Sequence, residues 1–155
     1  MLAALTGGIH LIAVLAAIVG LLIILMASAP TISVQDLRAI NRVYLLTGFA
    51  LIIAAMAGAV LWLTIGKPAE FYSNNPVFHA KLGLFALLVA VVAYTGLKFR
   101  TLEKNLQTPA ATSAVPDTDA PIVVSDSVRR LQKTCVPLMI VVPALAWMMA
   151  RGIGY

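Results

Sequence analysis

The stretch Leu2–Ala27, LAALTGGIHLIAVLAAIVGLLIILMA, decides the fold. It carries no Asp, Glu, Lys or Arg. Crossing about 30 Å of hydrocarbon at about 1.5 Å per residue takes about 20 apolar residues, and this run is long enough. Ala27-Ser28-Ala29 resembles a signal-peptide cleavage site. Three features argue against cleavage: no basic region precedes the run, the run is too long, and Pro30 would follow the cut. We therefore read it as a first membrane helix.

Three further segments fit the same description. The second covers about 35–66 and starts behind Pro30, near Ser33 or Gln35. Its first turns carry Asp36, Arg38 and Arg42, which belong at the headgroups, and Gly66-Lys67-Pro68 stops it. The third covers about 75–102, with Asn75 as cap and Pro76 as first helical residue. The fourth covers about 126–150, capped by Ser125 or Ser127, and Pro137 and Pro143 predict a bend inside it. Residues 103–125 hold Pro109, Pro116 and Pro121 among small polar residues and read as a flexible cytoplasmic loop. The expected fold is an all-α integral membrane four-helix bundle forming a single transmembrane domain over 1–155.

Composition supports this. Of 155 residues, 61% are hydrophobic and 11% charged, and mean hydropathy is +0.98. A soluble domain carries about 25% charged residues. The net charge of +5 sits at helix ends, so the bilayer is the expected partner rather than nucleic acid. Cys135 is the single cysteine, so no internal disulfide forms. Eight of the 11 Lys and Arg residues fall on the side of the first and third loops. The positive-inside rule places that side in the cytoplasm and both termini in the periplasm, in a bacterial inner membrane.

The chemistry gathers on the side of the termini. His10 and His79 are the two histidines of the chain, and ionisable groups at membrane depth are costly and mark functional sites. A neutral histidine bonded across the bundle is the plain alternative. Small residues share their faces: Gly7, Ala13, Ala17 and Gly20 with His10, and Gly83, Ala86, Ala90 and Ala93 with His79, while the second segment offers Gly48, Ala55 and Gly58. Such residues allow close packing, and they also leave room for a flat macrocycle. Imidazole is a common axial ligand of haem iron. His10 and His79 could therefore hold the iron of a haem b, although their expected depths differ by about 7 Å. A zinc or copper site of both histidines with Glu70 is the weaker metal reading. Lys81 points about 160° away from His79 around the helix. It reads either as a snorkelling lysine or as a cation for a haem propionate, and Arg42 poses the same choice at the other end.

The segment GKPAEFYSNNPVFHAKLGL, Gly66–Leu84, resembles a family of predicted bacterial membrane proteins of unknown function. The likeness extends to His10, Arg42-Val43-Tyr44 and Lys98-Phe99-Arg100. More distantly, His10 and His79-Ala80-Lys81-Leu82 are similar to motifs of HemJ-type protoporphyrinogen oxidases. That resemblance implies haem b, with His10 as ligand and His79 and Lys81 completing the site. The chain departs from it in lacking the tryptophan after the first histidine. It also has Thr134-Cys135-Val136-Pro137 where that family has Asn-Glu-Xaa-Pro. The reading is a haem-binding membrane protein with a redox role, with quinone or a porphyrin as partner. Its alternatives are a HemJ-like oxidase and a non-catalytic subunit or assembly factor, as a homo-oligomer or within a larger membrane complex.

Overall fold

A backbone inside lipid must satisfy its own hydrogen bonds, which leaves a helical chain few options beyond continuous spans. The computed structural model describes residues 1–65, 67–107 and 121–152. It contains four helical spans long and apolar enough to cross a membrane: Leu2–Ala27, Val34–Ile65, Pro76–Leu106 and Asp126–Ala150. The chain is an all-α membrane bundle.

Helix α1 (Leu2–Ala27) leads through the two-residue strand β1 (Thr31–Ile32) into α2 (Val34–Val60). A capping box starts α2. Asp36 N–H donates to Ser33 Oγ at 3.1 Å, and Ser33 N–H donates to Asp36 Oδ2 at 3.2 Å. The span finishes in a π-helical turn, Leu61–Ile65. A five-residue helix α3 (Ala69–Ser73) then crosses to α4 (Pro76–Gln107). As expected, Asn75 precedes the proline as cap: its Oδ1 accepts from Val77 N–H at 2.9 Å. Strand β2 (Ile122–Val123) precedes α5 (Asp126–Lys133) and α6 (Cys135–Ala150).

The observed elements differ from expectation in three places. Helix α4 runs past Leu102 to Gln107, because Leu102 and Leu106 pack on the core and Asn41 Nδ2 donates to Glu103 Oε2 at 2.6 Å. Gly66 and the middle of the expected loop, 108–120, lie outside the described residues. The fourth span is broken rather than merely bent. Pro137 has no N–H to give the Lys133 carbonyl, and the chain divides at Thr134, whose hydroxyl donates to Leu131 O at 2.6 Å. Pro143 stays inside α6. Finally, β1 and β2 pair antiparallel, Thr31 with Val123 and Ile32 with Ile122. This clasp ties the first loop to the approach of α5 and buries Ile32, Ile122 and Val124.

Helices α1 and α2 form the tightest pair. Ala13, Ala17, Gly20, Leu21 and Ile24 meet Thr47, Ala50, Leu51, Ala54 and Ala57, all buried. A Cβ at Gly20 would overlap Thr47 Oγ1, so glycine sets the spacing there. Helix α4 packs on α2 and α6. The core is densest toward the loop end, where Tyr44 and Phe99 stack with centroids 5.6 Å apart. There Gln132 Nε2 donates to Tyr44 OH at 2.8 Å and to Ser28 Oγ at 3.1 Å, joining α5, α2 and the end of α1.

Candidate functional site

At the end of the bundle that carries the termini, all four spans leave a cavity of about 430 Å³. Its wall takes His10 from α1, Gly58 and Trp62 from the second span, Lys81 from α4, and Pro143 and Trp147 from α6. Helix α6 can contribute because the break at Thr134 redirects it after α5 has docked. Apart from a few polar groups the lining is apolar, in the manner of ligand pockets.

His10 is half-buried, and its orientation is fixed. Its Nδ1–H donates to the Ala54 carbonyl on α2 at 2.7 Å. A carbonyl only accepts, so the proton must sit on Nδ1, and the neutral ring keeps its lone pair on Nε2. The ring reaches that carbonyl because Gly58 lies one turn further along α2. A Cβ there would come within 3.1 Å of His10 Cε1. Two features of α2 thus hold one side chain of α1, and neither carries a polar side chain of its own.

Lys81 is half-buried and lines the same cavity. Its Nζ lies 5.5 Å from the centroid of the Phe78 ring, a cation–π distance. No ion pair joins Lys81 to a carboxylate among the described residues. Trp62 packs against buried Phe78 with the rings tilted at 59° and their centroids 4.9 Å apart. Its indole N–H is buried and has no hydrogen-bond partner among the described residues. The π-helical turn carries Trp62 into the wall; such bulges are frequent at functional sites.

The structure brings His10 and Lys81 together and leaves the other candidates elsewhere. His79 faces outward. Its Nε2–H donates to the Ser73 carbonyl at 2.7 Å, tying α4 to α3, and it is not part of the cavity wall. This follows from the two-residue step: with Lys81 turned inward, His79 must turn out. Arg42 is exposed near the opposite end of the bundle. Glu70 lies exposed on α3, and Lys67 caps the Phe71 ring at 4.0 Å. Among the described residues no three of His, Cys, Asp and Glu gather as a metal group, so the zinc or copper arrangement of His10, His79 and Glu70 does not form. The small residues divide as well. Ala13, Ala17 and Gly20 are consumed by the α1–α2 contact, whereas Ala86, Ala90 and Ala93 face outward beside α2.

Sequence reasoning missed the Ala54 carbonyl, Trp62 and Phe78. A backbone carbonyl carries no residue signal, and an apolar aromatic in a span reads as lipid-facing. The proximity of Gly58 to His10 depends on how α1 and α2 align.

No curated protein and no solved structure matches the chain. The model of one family, described as a predicted membrane protein, matches residues 2–154. The chain belongs to this membrane protein family, DUF2214.

Proposed function

We propose that the cavity binds a haem b, with His10 as axial ligand, and that the chain is a redox protein of a bacterial inner membrane. The observation that carries this is the His10 Nδ1–H bond to the Ala54 carbonyl, in the wall of a cavity that also holds Lys81. Histidines that ligate metals characteristically donate their second ring N–H to a carbonyl or carboxylate, which fixes the tautomer and the ring. The donor set fits haem in three respects. Nε2 of His10 keeps a lone pair for iron, small residues at Ala54, Ala55, Gly58, Ala59 and Ala146 leave room beside it, and Lys81 supplies a cation for a propionate. Bound haem would supply a one-electron couple. His10 would hold and orient it, Phe78 and Trp62 would keep water out, and Lys81 would neutralise a carboxylate. His79 is assigned to the α3–α4 junction. The charge distribution orients the termini to the periplasm, so the cavity lies in the outer half. A membrane quinone is the class of electron partner proposed.

A second reading draws on the same pair. HemJ-type proteins rely on a helix-one histidine and a helix-three lysine, and here His10 and Lys81 share one cavity. On that reading a porphyrinogen is the substrate.

The test is a reduced-minus-oxidised absorbance spectrum of protein purified in detergent from haem-replete cells. A b-type band that His10→Ala removes and His79→Ala retains is the expected result. No band in the wild-type protein would overturn the proposal and favour a non-catalytic subunit. Growth of a strain lacking protoporphyrinogen oxidase, once supplied with this chain, would favour the second reading.

A further inference from the structure

Helices α2 and α4 lie against each other less closely than α1 and α2, and between them an apolar groove of about 700 Å³ opens to the membrane. Its floor is lined by Gly48, Ala55, Ala86, Ala90, Ala93 and Gly96. On α2 the groove extends from Tyr44 to Ala55, about 17 Å at about 1.5 Å per residue. That is about half of the roughly 30 Å hydrocarbon layer, the depth of one leaflet.

The two ends differ in charge. Arg100 lines the groove at its loop end and is the one charged residue in its lining. Arg42 faces outward one turn before Leu45, on the same stripe of α2. Glu103, three residues after Arg100 on α4, is engaged by Asn41, and no ion pair joins it to either arginine among the described residues. The surface thus combines an acyl-length apolar channel with a cationic mouth.

We infer that this groove is a binding site for one anionic glycerophospholipid, with an acyl chain along the small-residue floor and the phosphate at Arg100 and Arg42. A second copy of the chain is disfavoured as occupant. It carries the same net charge of +5, and symmetric docking on this face would bring the arginine-bearing ends of both chains together. The site is separate from the haem cavity, although Ala55, Leu82 and Phe85 line both.

Native mass spectrometry of the delipidated full chain in mild detergent tests this, with phosphatidylglycerol and phosphatidylcholine of matched acyl chains as probes. The wild-type protein should take up one phosphatidylglycerol in preference to phosphatidylcholine. Arg100→Gln should reduce that preference by about fivefold, the scale of one arginine near an anionic headgroup. Ala90→Phe, which fills the floor, should weaken both lipids. Should Ala90→Phe fail to yield a monodisperse protein, Ala93→Leu serves the same purpose with a smaller group. Equal uptake of the two lipids by the wild-type protein, or an undiminished preference in Arg100→Gln, would overturn the inference. Loss of a homodimer on filling the groove, with lipid uptake intact, would overturn it in favour of a second copy.

Discussion

The two ends of the bundle treat their polar groups in opposite ways. Toward the long loop, polar side chains are spent on one another. Gln132 uses both amide hydrogens, on Tyr44 and Ser28, and Asn41 uses both of its own, on Phe99 O and Glu103. The amide oxygen of each is left without a partner among the described residues. Toward the termini, His10 spends one ring nitrogen on the backbone and keeps the other, Trp62 holds an unpartnered N–H, and Lys81 has a ring beside it but no carboxylate among the described residues. The first pattern is a lock, in which removing a partner costs stability. The second is a set of unspent donors and one lone pair around a space.

Substitutions at the two ends should therefore separate stability from binding. The largest effect expected is at His10. His10→Ala should abolish the haem band while the detergent-solubilised protein keeps its thermal midpoint within a few degrees; a band of wild-type height would break the assignment. Gly20→Ala should act in the opposite sense. The new Cβ meets Thr47 on α2, and overpacking of this kind costs about 1–3 kcal/mol. Thermal unfolding should show that loss, and the haem spectrum should be unshifted in the fraction that remains folded. Lys81→Gln should lower haem affinity by about 10- to 100-fold, since charge-assisted hydrogen bonds contribute about 1.5–3 kcal/mol. Haem titration of the apoprotein measures this, and the position of the band should not change. At the locked end, Gln132→Leu should cost about 1 kcal/mol, given about 0.6 kcal/mol for an average side-chain hydrogen bond between membrane helices. Its haem content should be that of the wild-type protein. The smallest effect is expected at His79→Ala, which removes one exposed tether to Ser73 and should change unfolding by about 0.5–1 kcal/mol without affecting haem.

The sequence carried some features of the site and not others. That Lys81 and His79 point apart was legible, because two steps of about 100° fix their relation whatever the helix packs against. Which of them turns inward was not, because nothing in the span sets its rotation except its neighbours. The clamp of His10 and His79 was reasonable from two histidines at one end of a bundle. In the structure one of them is taken up by the α3–α4 junction, a five-residue element with no periodicity to reveal it. The small residues likewise read as one class, but those of α1 close a helix contact and those of α4 leave a groove open.

The sequence by itself determined the four spans, the capped starts of α2 and α4 and the asymmetry of basic residues, because these follow from local hydropathy, backbone chemistry and the position of charge along the chain. Tertiary structure alone decided that α4 continues past Leu102, that β1 and β2 clasp the loop end, that Pro137 divides the fourth span while Pro143 does not, and that His10 meets the Ala54 carbonyl beside Gly58. Each of these depends on which helix faces are brought together. In lipid, apolar residues on all sides of a helix are equally at home, so hydropathy does not record its rotation. The few close contacts and buried hydrogen bonds that fix that rotation appear only once the helices are packed.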